Sequence, residues 1–225
     1  MRWIAMVAAR DWEAVMASDL GPIIGVILAG GQSSRMGGGD KGMRALGDRP
    51  LLLHVIQRLR PQVERVVLNA NGDPARFAGF GLPVVPDSVP DFAGPLAGVL
   101  AGMDWAADEL PEAHYIVTAP ADGPFLPRDL VAHLAKTILD EDAELAVAAS
   151  AGQPYPVIGL WPVALRDELR RALTAEDVHK VDAWTARYRR VTATFGTEPV
   201  DPFFNANTPE QLAEAERLLA AHPQL

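Results

Sequence analysis

The sequence contains no cysteine among its 225 residues. Disulfide bonds, thiolate zinc sites and cysteine nucleophiles are therefore excluded, and the absence fits a reducing compartment. No apolar run approaches the roughly 18 residues that a membrane-spanning helix requires. The apolar stretch at residues 3–9 is interrupted by Arg10, and no clear cleavage site follows it. We therefore expect a cytoplasmic protein with no membrane partner, and residues 1–20 as an N-terminal extension outside the core.

A surplus of basic residues is also missing. Twenty lysines and arginines stand against 29 acidic residues, which gives a formal net charge of −9 at pH 7. Because nucleic-acid phosphates are bound by basic faces, this charge argues against a nucleic-acid partner. The five histidines are scattered without the spacing of metal ligands, which argues against a histidine metal centre.

From residue 23 onward the sequence alternates short apolar runs with helical stretches. Continuous apolar strands between helices predict an α/β fold whose mostly parallel sheet is covered on both faces. The predicted strands are residues 23–28, 65–70, 83–86, 115–119, 144–150, 155–161 and 191–195. The predicted helices are residues 50–60, 95–107, 127–139, 162–173, 178–188 and 209–221, with Thr208 as N-cap of the last.

A glycine-rich segment follows the first predicted strand. Six of the 19 glycines lie between Gly30 and Gly42, and residues 31–49 hold four basic and two acidic side chains, a local charge of +2. Glycines allow successive backbone N–H groups to converge on phosphate oxygens, and nearby cations favour the bound charge. A ligand there would lie beyond the carboxyl ends of parallel strands, where α/β proteins bind theirs. The segment predicts a nucleoside triphosphate site.

Two known phosphate loops explain this segment less well. Lys41 follows Asp40 and precedes Gly42, so the segment is not a Walker A loop. The spacing of Gly37, Gly39 and Gly42 satisfies the dinucleotide pattern, but it begins nine residues after Leu28 and no acidic residue ends the next strand. A surface loop that binds nothing is the remaining alternative, which the clustered cations disfavour.

The segment strongly resembles the signature of the molybdenum cofactor guanylyltransferase family. Further motifs follow in the family's order, and the resemblance covers about Gly25 to Ala221. The matching stretches are Leu28-Ala-Gly-Gly-Gln-Ser-Ser-Arg-Met-Gly-Gly-Gly-Asp-Lys41, Val67-Leu-Asn-Ala-Asn71, Pro86-Asp-Ser88, Gly94-Pro-Leu-Ala-Gly98, Pro120-Ala-Asp-Gly-Pro-Phe-Leu126 and Phe204-Asn-Ala-Asn-Thr-Pro-Glu210. The resemblance implies a Rossmann-like three-layer nucleotidyltransferase fold. It also implies transfer of GMP from GTP to the phosphate of molybdenum-molybdopterin, with Mg²⁺ as cofactor and release of pyrophosphate.

Three residues are expected to carry the chemistry. Asp122 follows a predicted strand at its carboxyl end, where a carboxylate can bind Mg²⁺ beside phosphate oxygens, and the resemblance makes it the metal ligand. Lys41 offers a point charge to the phosphates. Arg35 offers a planar fork that can grip the leaving pyrophosphate. The attacking phosphate is largely ionised at neutral pH because its second pKa is about 6, so no general base is required.

The resemblance also assigns the substrate contacts. The nucleotide-binding residues are expected to be Leu28, Ala29, Gly30, Gly31, Lys41, Asn69, Asp87, Gly94 and Asp122, and the acceptor-binding residues Lys180, Asn205 and Asn207. We accordingly expect one domain over residues 21–225, with a nucleotide-binding part at 21–150 and an acceptor-binding part at 151–225. Asn69 and Asp87 also stabilise turns unaided, so a structural role is the alternative for both. A structural turn or surface role is likewise the alternative for Lys180, Asn205 and Asn207.

Two other functions use the same features. A cytidylyl- or sugar-phosphate nucleotidyltransferase would share the loop and the aspartate and differ in its base and acceptor pockets. A nucleotide-binding regulator would bind without releasing pyrophosphate, and the paired presence of Asp122 and Lys41 argues against it. Molybdoenzyme chaperones are a further candidate class of partner.

Overall fold

A computed structural model describes residues 20–30, 41–89 and 94–223 of the chain. Its strands are β1 Ile23–Leu28, β2 Ala45–Leu46, β3 Arg49–Pro50, β4 Arg65–Asn69, β5 Val84–Val85, β6 Tyr115–Pro120, β7 Leu145–Ser150, β8 Gln153–Pro162 and β9 Arg190–Phe195. Its α-helices are α1 Leu51–Leu59, α2 Pro95–Glu109, α3 Leu130–Asp140, α4 Arg166–Ala175, α5 Val181–Thr185 and α6 Pro209–Ala221. Short 3₁₀ helices lie at Lys41–Met43, Arg60–Gln62, Pro74–Phe80 and Val163–Leu165.

Within the described part of the chain, seven strands form one sheet in the order β5-β4-β1-β6-β8-β7-β9. Strand β1 pairs in parallel with β4 and β6, and β4 pairs in parallel with β5. Strand β8 is antiparallel to both of its neighbours. The carboxyl ends of β1, β4, β5 and β6 therefore meet at one edge of the sheet, and the predicted mostly parallel α/β fold is confirmed.

Helices cover both faces of the sheet because its strands are apolar on both sides. Helices α1 and α3 pack on one face, where Leu52 and Leu134 are fully buried. Helices α2, α4 and α5 pack on the other, around Leu100 and Trp184. The three layers that the resemblance implied are thus present. No helix in residues 20–30, 41–89 and 94–223 combines the length and apolar character needed to cross a bilayer.

A third, smaller apolar cluster brings together segments that are far apart in the chain. It joins Leu46 of the β2–β3 hairpin, Phe125 after β6 and Ala215 of α6. Helix α6 begins with a capping box in which Thr208 and Gln211 each accept a backbone N–H from the other, so the predicted N-cap is confirmed. This packing places the segment before α6 next to the residues that follow the glycine-rich segment.

Several predicted helix boundaries differ from the structure, and tertiary hydrogen bonds explain the first of these differences. The helix predicted from residue 127 begins at Leu130, because Gln62 binds the carbonyl of Pro127 at 2.8 Å and the backbone N–H of Val131 at 3.0 Å. The helix predicted at residues 178–188 is reduced to Val181–Thr185. The helix predicted at residues 162–173 opens with a 3₁₀ turn and becomes α-helical at Arg166.

Candidate active site

The expected nucleotide residues lie at the carboxyl edge of the sheet. Leu28 is in register with Asn69 on one side and with Pro120 on the other. The backbone continues these contacts beyond the strands, because Ala29 N–H donates to the carbonyl of Asn69 at 2.9 Å and Ala121 N–H donates to that of Leu28 at 3.1 Å. The tips of three parallel strands are therefore fixed relative to one another, with Asp122 two residues after the last of them.

Lys41 lies beside the Asp122 loop because its neighbour is a glycine. A Cβ atom on Gly42 would lie 3.0 Å from the Cβ of Ala121 and 3.3 Å from its carbonyl oxygen. Both distances are shorter than ordinary van der Waals contact, so a side chain at position 42 would require the two segments to move apart by a few tenths of an ångström. The Lys41 Nζ then donates to Asn207 Oδ1 at 2.7 Å. Arg44 adds a 3.3 Å hydrogen bond to the Asn207 carbonyl.

Asp122 is half-buried in this cluster. Burial raises the pKa of its carboxyl above the ordinary value, while the charge of Lys41 and the residue's own backbone N–H act to lower it. Since burial is the largest of these effects, the surrounding protein disfavours the ionised form of Asp122. A bound cation would compensate the carboxylate charge there.

A second oxygen beside Asp122 is also suited to a cation. Asn205 Oδ1 is buried and has no hydrogen-bond partner in the described structure. It lies 3.5 Å from where a Cβ of Gly123 would be, and the next N–H along, that of Ala206, donates to the Asp122 carbonyl at 3.1 Å. An unpartnered buried oxygen costs free energy unless a donor or a cation reaches it. The residues present therefore fit a hard divalent ion that takes oxygen ligands.

The protein does not supply a complete metal cage in the part of the chain that is described. No group of three His, Cys, Asp or Glu side chains there could hold an ion. Magnesium characteristically binds one or two carboxylates and completes its octahedron with substrate phosphates and water. The sparse protein ligand set at Asp122 matches that pattern.

The tips of β4 and β5 carry a second polar cluster. Asn69 is buried, and its Nδ2 donates to Asp87 Oδ1 at 2.9 Å and to the Val85 carbonyl at 3.3 Å. Gly98, in the first turns of α2, leaves the space that Asn69 occupies, because a Cβ there would lie 2.4 Å from Asn69 Oδ1. The carboxylate of Asp87 is thus held at the same edge as the predicted phosphate loop.

Comparison with known proteins identifies this arrangement. The profile of the MobA-like NTP transferase domain matches residues 25–191. A molybdenum cofactor guanylyltransferase of Bradyrhizobium sp. (strain ORS 278) is 62% identical over 196 residues, which cover 87% of this chain and 92% of the relative. This chain belongs to the molybdenum cofactor guanylyltransferase family. The expected family and the expected nucleotidyltransferase activity are therefore confirmed.

Solved structures share the fold of this guanylyltransferase family at lower identity. The molybdopterin-guanine dinucleotide biosynthesis protein A of Archaeoglobus fulgidus has a TM-score of 0.67 at 22% identity, covering 88% of this chain and 99% of its own. A Mycobacterium tuberculosis H37Rv protein in complex with manganese has a TM-score of 0.61 at 19% identity, with coverage of 88% and 99%. These likenesses show the three-layer fold that the sequence predicted.

Of the remaining residues expected from the guanylyltransferase resemblance, some lie within the described structure and others do not. Gly30 is exposed and precedes residues 31–40, so Gly31 and Arg35 lie outside the described residues. Gly94 is the N-cap of α2, and a Cβ on it would lie 3.8 Å from the His179 carbonyl. Lys180 follows His179 and is the N-cap of α5, so its backbone lies near the start of α2.

Two contacting residues were not singled out from the sequence. Arg44 binds the backbone of Asn207, and Asn71 binds Asp87 through its side chain. Asn71 directly follows the strand predicted at residues 65–70, a position that points to the carboxyl edge. Arg44 carried only the general signal of local positive charge, because its partner lies 163 residues away.

A cleft of about 580 Å³ lies at the other end of the sheet. It is lined by Arg60, Arg65 and Trp105 among others. Arg65 opens β4 and Asn69 ends it, so roughly 13 Å of strand separates this cleft from the nucleotide edge. The cleft is therefore distinct from the cluster around Lys41 and Asp122.

Proposed function

We propose that this chain transfers GMP from GTP to the terminal phosphate of molybdenum-molybdopterin, in the cytoplasm, releasing pyrophosphate and forming the guanine dinucleotide cofactor. The observation that carries the proposal is the cluster of Lys41, Asp122 and Asn207 at the carboxyl edge of the sheet. A cation, a carboxylate and a polar segment from the last third of the chain meet there. Phosphoryl chemistry depends on this kind of positioning and charge compensation.

The nucleotide is proposed to lie along the tips of β1, β4 and β5. Leu28, Ala29, Gly30 and Gly31 would approach its phosphates through the backbone, and Gly94 allows close approach at the start of α2. Asn69 and Asp87 would contact the nucleoside, because their polar atoms lie at the tips of the two strands beside β1.

Magnesium is proposed as the cofactor, with Asp122 as its carboxylate ligand. The ion, when bound, would neutralise charge on the phosphate oxygens of the nucleotide. The raised pKa of Asp122 and the unpartnered Asn205 Oδ1 support this position. A cation would lower the free-energy cost of burying an ionised carboxylate and that of burying an oxygen without a hydrogen-bond partner. The structural relative that contains manganese supports a divalent ion in this fold.

Lys41 and Arg35 are proposed as catalytic residues that stabilise charge. The negative charge on pyrophosphate grows as it departs, so contacts from an ammonium and a guanidinium strengthen in the transition state. Lys41 has three N–H donors, and among the described residues its ammonium donates to Asn207, so further donors would be available to phosphate oxygens. The attacking phosphate monoester needs no base near neutral pH because it is already largely ionised.

The acceptor is proposed to bind on the side formed by residues 151–225, with residues 21–150 binding the nucleotide. Asn205 and Asn207 support this division, because both lie in the later part of the chain and adjoin Asp122 or Lys41. Lys180 would add a positive charge for the acceptor phosphate, reached from the Gly94 side. Molybdoenzyme chaperones as partners stay a prediction.

The decisive experiment compares GTP with CTP. Pyrophosphate release is measured with molybdopterin-loaded acceptor, with Mg²⁺ and after its removal by chelation. We expect GTP turnover that requires the metal, and loss of turnover in Asp122→Asn. Asp108→Asn is the matched control, because it removes the same charge from an exposed position on α2.

Three results would redirect the proposal. A CTP preference would favour a cytidylyltransferase, the alternative that uses the same loop and aspartate. Nucleotide binding without pyrophosphate release would favour a regulator. Normal turnover in Asp122→Asn would remove the proposed metal ligand while leaving the family assignment intact.

A further inference from the structure

Asn71 makes two hydrogen bonds to a single residue across the strand tips. Its Nδ2 donates to Asp87 Oδ2 at 2.7 Å, and its Oδ1 accepts from the Asp87 backbone N–H at 2.8 Å. Asn71 is exposed, two residues beyond the buried Asn69 at the end of β4. Nothing in the core requires an amide at this exposed position, so its contacts with Asp87 indicate a role at the site.

The two bonds fix the orientation of both partners. Reversing the Asn71 amide would set its oxygen against a carboxylate and its NH₂ against a backbone N–H, so only one orientation is compatible. Asn69 holds the other carboxylate oxygen, Oδ1, at 2.9 Å. The Asp87 carboxylate is therefore gripped on both oxygens and through its backbone, which leaves it little freedom to rotate.

The turn that carries Asn71 is held by other groups. Arg76 donates to the Asn71 carbonyl at 2.6 Å, and Asp73 caps the following 3₁₀ helix by accepting from Ala75 N–H at 2.9 Å. These contacts use the backbone of Asn71 and side chains other than its own. The Asn71 amide is thus available to orient Asp87 without being needed to form the turn.

The held carboxylate still has acceptor capacity for a ligand. An ionised carboxylate offers about four lone-pair sites, and each Asp87 oxygen uses one of its two on an asparagine amide. Among the residues that the structure describes, one acceptor site on each oxygen is left for a ligand, and the two sites lie side by side. Such a pair matches two adjacent donors, which in a guanosine nucleotide are either the N1–H and 2-amino group of the base or the two ribose hydroxyls.

We propose that Asn71 is a positioning residue for nucleoside recognition, which fixes the Asp87 carboxylate so that both oxygens accept from adjacent donors of the nucleotide. The proposal rests on the proposed function, because it takes Asp87 as a nucleoside contact. It predicts that Asn71 affects nucleotide binding and selectivity and leaves the chemical step unchanged, since Asn71 itself touches no reacting group.

The test compares Asn71→Ala, Asp87→Asn and the double variant in the full-length enzyme. We expect Asn71→Ala to raise the KM for the preferred nucleotide about 10-fold, as befits loss of a charge-assisted hydrogen bond, with kcat within about 2-fold of wild type. The KM of the double variant should be no higher than that of Asp87→Asn, because the two substitutions disrupt the same interaction. Asp73→Ala, which loses a hydrogen bond in the same turn without touching Asp87, should retain the wild-type KM.

Two substrate analogues distinguish the sources of the donors. Inosine triphosphate lacks the 2-amino group, and 3′-deoxy-GTP lacks one ribose hydroxyl. Asn71→Ala should lose the wild-type discrimination against one of these analogues and keep it against the other, which identifies the group that Asp87 holds. Unchanged discrimination against both would overturn the positioning role.

The outcomes also separate this inference from the proposed function. A wild-type preference for CTP contradicts the proposed function, and the KM comparison is then made with CTP. A KM for Asn71→Ala equal to wild type on the preferred nucleotide overturns the positioning role whichever nucleotide that is. Effects of Asn71→Ala and Asp87→Asn that add fully would overturn it as well, because independent residues contribute independently.

Discussion

Replacing Gly98 with alanine should damage nucleotide use far more than it damages the fold. Gly98 lies in α2, facing the tips of β1 and β4. An added Cβ would lie 2.4 Å from Asn69 Oδ1 and 2.7 Å from a methyl carbon of Leu28. Both neighbours are expected nucleotide contacts, and Asn69 must move by roughly 1 Å to relieve the overlap.

Gly102 provides a matched control one turn further along the same helix. A Cβ there would lie 2.5 Å from a methyl carbon of Val26 and 3.2 Å from one of Ile116. The overlap is equally severe, but these neighbours are core side chains in the middle of β1 and at the start of β6. The two substitutions therefore impose similar strain at different distances from the site.

The expected loss of stability in each variant is the difference between two opposing effects. Overpacking a buried position costs about 1–3 kcal/mol. Alanine recovers about 1 kcal/mol over glycine within a helix. Each variant should thus lose about 1 kcal/mol of stability, which lowers the Tm of a chain this long by about 2–4 °C. A displacement of about 1 Å at a substrate contact can cost about 100-fold, so Gly98→Ala should lower kcat/KM for GTP by about 10- to 100-fold.

Calorimetry and steady-state pyrophosphate release test both parts. Gly98→Ala and Gly102→Ala should unfold at similar temperatures, while Gly102→Ala keeps kcat/KM for GTP within about 3-fold of wild type. Equal kinetic loss in both variants would show that general loosening of α2, and not displacement of Asn69, limits activity. Wild-type kinetics in Gly98→Ala would refute the assignment of Asn69 to the nucleotide.

Two further substitutions test the electrostatics and the capping of the site. Burial raises the pKa of Asp122 above its ordinary value near 3.8. At pH values just above 3.8 the native state therefore binds more protons than the unfolded state. The free energy of unfolding consequently falls as the pH rises through that range. Metal-free Asp122→Asn should therefore be more stable than wild type at pH 7, an advantage that shrinks at pH 3 in urea titrations; a less stable variant at pH 7 would contradict the desolvation argument. Thr208→Ala removes one half of the capping box of α6 and should cost about 1 kcal/mol in thermal unfolding. Its KM for GTP should stay within about 2-fold of wild type, since Gln211 still binds the Asn207 N–H at 2.9 Å; a KM that rises with the loss of stability would show that the cap positions Asn207.

The strands and the edge of the site were predictable because buried parallel strands leave an uninterrupted apolar signal. Residues 23–28 were predicted without error, and residues 65–70 and 115–119 to within one residue. The polar residue after such a run must emerge at the carboxyl edge. That argument places both Asn69 and Asp122 at the carboxyl edge of the sheet, where the structure has them.

The reversal of β8 was not predictable from the same signal. Strands β7 and β8 are joined by Ala151 and Gly152, both with positive φ, of 48° and 75°. Two such residues form the tight turn that joins antiparallel strands. Glycine adopts this conformation readily, but alanine rarely does, so the dipeptide carries little of the signal that Asn-Gly would have given.

The region after residue 175 was mispredicted for a related reason. Val178 N–H donates to the Ala172 carbonyl at 3.0 Å, and Asp177 has a positive φ of 56°. The chain therefore turns back on α4 at residues where apolar spacing suggested that a new helix began. Asp177 in the left-handed region is tolerated because a short polar side chain can adopt it. Local spacing could not reveal a hydrogen bond that closes this turn.

The contact between Lys41 and Asn207 is an example of a long-range pairing that the sequence could not predict. It joins residues 166 positions apart, and neither local pattern specifies the partner of the other. Once placed, the pair has a clear electrostatic consequence. A neutral carboxamide orients the Lys41 ammonium by a hydrogen bond and adds no charge beside it. A carboxylate at position 207 would add a second negative charge next to Lys41, besides that of Asp122, and would compete with phosphate. We therefore expect Asn207 to link the proposed acceptor part of the chain to the proposed phosphate-binding lysine without neutralising that lysine.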